Sequence, residues 1–490
     1  MNASPPDVPQ ALSHADIRLI IVGILLAMFL GALDQTIVAT ALPTIGRELG
    51  DAELLSWVVT SYLVTATAVT PLYGKLSDIV GRRPTMLVAV AVFIVGSIGC
   101  AVAPNMMMLI LARAVQGMGG GGLISLAQTI IGDIVAPRER GRYQAYIAGV
   151  FVSSSLAGPV LGGAFAEHLH WSYIFWINVP LGLAAFGMTW TLLKRLPVYQ
   201  RPHRLDLIGA ILLVAATTVL MLALNWGGHR YPWLSAPMMG LFGASALLWV
   251  LFGLRLGRAS EPLIPLTLFA NPVVRNGTLS ACFGMGTFIG LSIYVPVFLE
   301  VVKGYSAADS GLALVPFMVG TVVGATSAGR AMTLVTHYRR VPVAGLAVAG
   351  LALVALALTA DRAGLGALEA MFTLVSFGLG TLMPVTTVSI QNAVHPGQLG
   401  TATAGMNFFR SLGGALVVAV FGAILLSGGV ASGLHGPTAG AALPAAGGPV
   451  LEAFRWLFAA AAVCVAVAIL FLLRMDELPL RARPAAAPPE

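Results

Sequence analysis

Charged residues are scarce in this sequence: Asp, Glu, Lys and Arg make up 10% of its 490 residues, where an average soluble domain has about 25%. With 58% of the chain hydrophobic, too little polar surface remains for a water-facing shell, and a soluble globule is excluded. Cysteine is scarce too. Cys100, Cys282 and Cys464 each fall inside an apolar run without metal-ligand spacing, which leaves them as small packing residues rather than a thiolate centre. His14, His168, His170, His203, His229, His337, His395 and His435 lie near the ends of apolar runs or between them and form no metal cluster. A nucleophile elbow and a kinase-type motif set are both missing. The glycines from Gly119 to Gly122 are followed by neither Lys-Ser nor Lys-Thr and sit in an apolar stretch, so close helix packing accounts for them better than phosphate binding. These gaps leave no expected catalytic residue, metal or cofactor. Nucleic acid is excluded as a partner as well: the net charge is +7, but the basic residues are gathered neither on one face nor in a binding motif.

What the chain does have is apolar runs long enough to cross a bilayer. They fall at about 18–42, 54–74, 85–104, 106–131, 143–166, 172–193, 206–225, 236–256, 276–300, 308–332, 341–360, 364–389, 404–427 and 451–473, which predicts an all-α integral membrane protein of fourteen spans. With the N-terminus inside, twenty of the 27 Lys and Arg fall on inside segments and helix ends. Only Arg47, Arg230, Lys303, Arg362 and Arg455 lie outside, while Arg113 and Arg410 lie within helices. That asymmetry places both termini in the cytoplasm and explains the basic balance without an anionic partner. The first run is too long for a signal peptide and lacks a small-residue cleavage site, so it is expected as a retained span with no targeting segment to remove.

The expected organisation is a cytoplasmic tail over 1–17, a six-helix half over 18–193, a basic linker with two extra helices over 194–256, a cytoplasmic linker over 257–275, a second six-helix half over 276–473 and a disordered tail over 474–490. The Gly-, Ala- and Pro-rich stretch 428–448 is expected as a flexible outer loop.

The run Leu33-Asp34-Gln35-Thr36-Ile37-Val38-Ala39-Thr40-Ala41-Leu42-Pro43 organises the rest. Between Leu19 and Leu42 the one ionisable side chain is Asp34. A charge at that depth costs about 2.5–3.5 kcal/mol on insertion scales, so it faces the protein interior or an aqueous cavity and is a functional candidate, with a purely structural hydrogen-bonding role as the alternative. Arg113, in the fourth run, lies at a similar depth, about 10–12 Å below the outer boundary at 1.5 Å rise per residue, so the two can neutralise each other.

Between the second and third spans comes Gly74-Lys75-Leu76-Ser77-Asp78-Ile79-Val80-Gly81-Arg82-Arg83-Pro84, expected as a short cytoplasmic loop. Glycine permits a tight turn there, and Asp78 can pair with Arg82 or sit against a helix N-terminus. This stretch closely resembles the signature loop of the major facilitator superfamily, and Leu111-Ala112-Arg113-Ala114-Val115-Gln116-Gly117-Met118-Gly119 resembles the family's fourth-helix motif. The stretch Gly149-Val150-Phe151-Val152-Ser153-Ser154-Ser155-Leu156-Ala157-Gly158-Pro159-Val160-Leu161-Gly162-Gly163 resembles the fifth-helix motif of its antiporters, with a structural kink as the plain alternative. Trp171–Gly182 and the run around Asp34 are similar to the fourteen-helix drug:proton antiporters, although Ser172 and Tyr173 stand where Arg and Trp are usual. The second half echoes the first: Gly329-Arg330-Ala331-Met332-Thr333 through Arg340 occupies the place of a second signature loop, with its acid missing.

The resemblance implies two parallel six-helix halves with a binding site at their midplane interface. It further implies proton coupling at Asp34 and Arg113, a cytoplasmic latch of Gly74, Asp78, Gly81, Arg82 and Arg83, and cavity candidates Gln35, Gln116, Asn178, Phe408 and Arg410. The implied activity is export of amphipathic compounds in exchange for protons, by a monomer in the bacterial inner membrane, with the small substrate, protons and the lipid bilayer as partners. A dedicated exporter of one metabolite or lipid and a non-transporting sensor are the alternatives. With Asp34 as the one carboxylate well inside the spans, monovalent cations or neutral amphiphiles are expected over dications.

Overall fold

Inside a bilayer each backbone N–H and C=O must be paired within its own segment, so the apolar runs become helices. The computed structural model describes residues 14–51, 54–195, 205–228, 230–427 and 448–481. Its described residues contain fourteen helices long and apolar enough to cross a membrane. The first six are α1 (Asp16–Leu49), α2 (Leu55–Val80), α3 (Arg82–Ala101), α4 (Met106–Ile134), α5 (Pro137–His168) and α6 (Tyr173–Leu192). Two more follow, α7 (Leu207–Trp226) and α8 (Ala236–Arg258). The last six are α9 (Pro272–Val301), α10 (Asp309–Leu334), α11 (Arg340–Thr359), α12 (Leu365–Ala393), α13 (Pro396–Ser427) and α14 (Gly448–Leu473).

Each half has its own apolar core. In the first, Met28, Phe93, Leu126 and Ile130 pack on the inner side and Ile37, Val58, Ile174 and Phe175 on the outer side. In the second, Phe298, Phe317, Phe372, Phe454 and Phe458 form an aromatic centre. The extra pair lies outside the two bundles: α7 packs against α2 and α13 and so spans one lateral seam between the halves. Thr60 donates to Asn225 across that seam at 3.2 Å, and Trp57 meets Trp226 edge-on at 5.7 Å. At the inner ends Arg255 pairs with Asp206 at 3.0 Å, while Asp206 also accepts from Gly209 N and caps α7.

Two expectations are corrected. The stretch 74–84 is not a loop: α2 runs to Val80 and α3 begins at Arg82, leaving Gly81 as the one residue between them. Gly81 has φ of 103°, a conformation that side chains with a Cβ rarely adopt, so a whole turn is made by one glycine. The linker 257–275 is packed: Leu263, Ile264 and Leu268 are buried against Val274, Ile390 and Phe408. The tail is structured through Arg481, where polar groups at the helix ends hold it. The Tyr338 hydroxyl donates to Leu478 O at 2.8 Å, Asn392 Nδ2 to Pro479 O at 3.1 Å and Arg339 Nη1 to Met475 O at 2.5 Å. Residues 482–490, the N-terminal residues before His14, most of the basic linker and the outer loop 428–447 lie outside the described residues.

Candidate functional site

Asp34 is fully buried, as are Gln116 and Asn178, and Arg113 is 1% exposed. Arg113 Nη1 donates to Asp34 Oδ2 at 2.5 Å and to Gln116 Oε1 at 2.6 Å. The second carboxylate oxygen, Oδ1, accepts from Gln116 Nε2 at 2.8 Å and Asn178 Nδ2 at 2.9 Å. Gln116 Nε2 also donates to Ser97 Oγ at 2.7 Å, and Arg113 Nε to Val58 O at 3.0 Å. The guanidinium carbon lies 4.3 Å from the centre of the Tyr62 ring and 5.7 Å from that of Phe175. Five helices of the first half thus converge on one ion pair, with α1 giving the carboxylate and α4 the guanidinium. Burial of these charges is tolerable because they are paired with each other and hydrogen-bonded to neutral groups around them.

The fifth helix leans on this centre. Thr36 Oγ1, two residues from Asp34, donates to Ser154 O at 2.9 Å. A Cβ on Gly158 would lie 2.7 Å from the Cβ of Thr36, and one on Gly162 would collide with Ile37 and Thr40. The close contact of α1 and α5 therefore depends on these two glycines. Gly149 and Gly163 have nothing within 4 Å of such a Cβ, and Pro159 is exposed. At the outer end, where Ser172 and Tyr173 depart from the usual pair, Glu48 of α1 accepts from Trp171 Nε1 at 2.9 Å and lies 3.1 Å from His170 Nε2.

A second cluster sits at the cytoplasmic ends, where the halves meet. Asp78 Oδ1 accepts from Arg82 Nη1 at 2.5 Å and from Gly400 N at 2.9 Å, and Oδ2 accepts from Thr401 N and Thr401 Oγ1, both at 2.7 Å. One carboxylate thereby joins Arg82 of its own half to the N-terminus of the α-helical part of α13, where unpaired N–H groups and the helix dipole favour an anion. Arg82 Nε donates to Asp133 Oδ2 at 2.7 Å. Arg140 donates to the carbonyls of Val135 and Gly132. Arg83 does not join this cluster; its Nε donates to Trp190 O at 3.2 Å and its guanidinium lies over the Trp190 ring.

Two backbone crossings close the same end. A Cβ on Gly74 would lie 2.6 Å from Gly400 O, and one on Gly141 would lie 2.6 Å from Gly329 O. Above them Gln391 Nε2 donates to Gln128 O at 3.1 Å and Asn407 Nδ2 to Gln128 Oε1 at 2.9 Å. Further out, Gln35, Ala39 and Thr40 on α1 and Pro159 and Val160 on α5 are uncovered. The degenerate second loop receives an acid from elsewhere: Glu477, in the tail, accepts from Arg339 N at 2.8 Å and lies 3.2 Å from His337 Nδ1.

The cavity candidates separate. Gln116 and Asn178 are spent on Asp34, and Phe408 is buried against Trp249 and Phe409. Gln35 is exposed. Arg410 lines a narrow cleft within the second half. Sequence reasoning missed Asp133, Gly141, Gln128 and Glu477, and read Gly329 only as the start of the second signature loop. Asp133 carried a signal, an acid beside a glycine at the inner end of α4, whereas the others have no local mark. No group of three or more His, Cys, Asp or Glu that could hold a metal occurs among the described residues.

Comparison with known proteins places this geometry. Multidrug resistance protein 3 of Bacillus subtilis (strain 168) is 34% identical over 411 residues, covering 84% of this chain and 80% of that protein. Multidrug transporter protein MdtP of the same organism is 32% identical over 409 residues, covering 83% of this chain and 75% of its own length. The solved structure of the proton:xylose symporter XylE, of the major facilitator superfamily, superposes with a TM-score of 0.63 over 95% of this chain and 97% of that one, at 15% identity, a likeness of fold alone. The family model described as Major Facilitator Superfamily matches residues 24–418, a stretch that includes both the Asp34 centre and the cytoplasmic junction. The chain belongs to the Major Facilitator Superfamily.

Proposed function

We propose that this transporter is a multidrug-type exporter that moves amphipathic compounds out of the cell in exchange for protons, by alternating access of its two halves, and that it catalyses no chemical reaction. The observation that carries the coupling is the burial of Asp34 among Arg113, Gln116 and Asn178. Separating α1 from α4 takes Arg113 and Gln116 away from the carboxylate and leaves it the neutral Asn178 amide in a low-dielectric surrounding, where an unpaired charge is costly. Protonation is the relief open to it, and re-pairing with Arg113 releases the proton. The helix that senses that movement is α5, through Thr36, Gly158 and Gly162.

Asp78 acts as a latch that holds the cytoplasm-closed arrangement, because it bonds Arg82 in one half and Gly400 and Thr401 in the other. The similar multidrug proteins of Bacillus subtilis support export as the direction of transport. The setting that fits is a monomer in a bacterial inner membrane, with the basic segments in the cytoplasm.

Proteoliposomes loaded with a fluorescent amphiphile and subjected to a pH gradient provide the test. The Asp34→Asn variant is expected to retain downhill flux of the amphiphile, which reports that it is folded, and to lose uphill movement driven by the gradient. Uphill transport at the wild-type rate in that variant returns Asp34 to a structural role and removes the coupling mechanism.

A further inference from the structure

Arg410 is a buried charge without a counter-ion. It is 6% exposed, and no carboxylate among the described residues lies within ion-pair distance of it. Its hydrogen-bond acceptors are all neutral: Nη2 donates to Thr386 Oγ1 and Thr387 Oγ1 at 3.0 Å each and to Met383 O at 3.5 Å, and Nη1 to Asn407 Oδ1 at 3.3 Å. Of the other deeply buried arginines, Arg140 donates to the carbonyls of Val135 and Gly132 with the Asp133 charge nearby, and the remaining two are paired directly. Arg113 has Asp34, and Arg82 has Asp78 and Asp133. A guanidinium cannot shed its charge as a lysine can, so the positive charge stays in the membrane interior and calls for an anion.

The position of Arg410 says where that anion would come from. It stands eleven residues along α13 from Leu399, about 16 Å at 1.5 Å rise, and one turn outward from Asn407. The bond from Asn407 to Gln128 joins the two halves. Arg410 therefore lies just above the contacts that close the cytoplasmic side. It is the one ionisable residue of a narrow cleft whose other walls include Met285, Phe288, Thr321, Leu379, Leu382 and Thr386. The cleft has room for about one water-sized group, 10 Å³, so beside its one cation it admits the acidic group of a molecule, and the apolar wall matches the part of an apolar or aromatic body that follows once the cleft widens.

We propose that Arg410, with Thr386 and Thr387, forms the acid-recognising subsite of the substrate cavity, and that the compounds exported include amphipathic acids bearing a single carboxylate. This deepens the reading of the protein as an exporter of amphipathic compounds and rests on it. It stands beside the expectation of monovalent cations or neutral amphiphiles, since Asp34 is already paired with Arg113 and bonded to Gln116 and Asn178. Because Nη1 of Arg410 bonds Asn407, an acid seated there also reaches, through one side chain, the bond to Gln128 in the other half.

Equilibrium binding to the full chain in nanodiscs of zwitterionic lipid tests the subsite. The probes are anthracene-9-carboxylate and its methyl ester, which share a body and differ in charge, each titrated with and without added chloride. The wild type is expected to bind the acid at least about tenfold more tightly than the ester, as a charge-assisted pair in a desolvated site implies. Arg410→Gln is expected to bind both equally, at the ester's wild-type affinity, while Arg410→Lys retains part of the preference. Equal binding of acid and ester by the wild type overturns the proposal whether or not the Gln variant folds. So does an acid preference that survives in Arg410→Gln. Protection of the wild type from unfolding by chloride, with no preference for the acid, assigns the charge to an inorganic ion and also ends the substrate claim. No pH gradient enters the measurement, so a failure here leaves proton-coupled export standing, and a failure of coupling leaves this comparison readable.

Discussion

A methyl group at position 141 tests most directly how the two halves close. The added Cβ would lie 2.6 Å from the carbonyl oxygen and 3.0 Å from the Cα of Gly329. Both are backbone atoms of α10, so no side chain can rotate aside and the inner ends of α5 and α10 must part. Overpacking of this kind costs about 1–3 kcal/mol. The cost falls on the cytoplasm-closed arrangement alone, because halves separated at this end no longer touch there. A bias of that size changes the ratio of the two arrangements by roughly 5- to 150-fold toward the cytoplasm-open one. Gly74→Ala applies the same wedge at the α2–α13 crossing, where the new Cβ would lie 2.6 Å from Gly400 O and 3.0 Å from the Gly400 carbonyl carbon. Spin labels at Glu139→Cys and Arg330→Cys, both exposed in the wild type, report the separation in a background lacking the native cysteines. Either alanine variant should lengthen the distance distribution, and Gly149→Ala, which meets nothing within 4 Å, should leave it unchanged. An unaltered distribution in both Gly74→Ala and Gly141→Ala would show that these crossings do not set the closed state.

Four further outcomes are expected. Asp78→Asn removes a charge but little volume and should slow transport at near-normal expression, as read by flux per molecule in proteoliposomes; wild-type flux would remove the latch. Asp34→Asn leaves Arg113 buried without its counter-ion, a loss of about 3–5 kcal/mol for a broken buried pair, and Arg113→Gln in the same chain should recover part of the lowered melting temperature. Gly158→Ala drives a methyl to 2.7 Å from the Thr36 Cβ and should depress gradient-driven transport more than Gly163→Ala, whose new group meets open space. Removal of residues 474–490 deletes the acceptors Leu478 O and Pro479 O and the Glu477 carboxylate, so the same spin-label pair should show a larger cytoplasm-open population, and an identical population would leave the tail without a part in closure.

The motifs that carry the resemblance to the fourteen-helix antiporters fall on both clusters. The grouping within those motifs was less legible. Arg83 follows Arg82 directly, yet it points to Trp190 while Arg82 points to Asp133 and Asp78, since adjacent positions on a helix face different neighbours. The resemblance implies Gln116 and Asn178 as cavity residues. Their depth in the bundle made them ligands of Asp34 instead.

The sequence by itself determined the number of spans, their sidedness and the depth of Asp34 and Arg113. Those properties depend on run length and charge bias, which the bilayer reads along the chain without reference to any partner helix. Tertiary structure decided which groups share each charge. Asp78 accepts from Gly400 across 322 positions of chain, and Glu477 supplies an acid beside Arg339 that the second loop lacks. Arg410 meets hydroxyls and carbonyls where Arg113 meets a carboxylate. The rotation of each helix about its axis sets these pairings. Where helices are apolar on most faces, that rotation is chosen by small-residue packing such as Gly141 on Gly329, which composition and periodicity leave open.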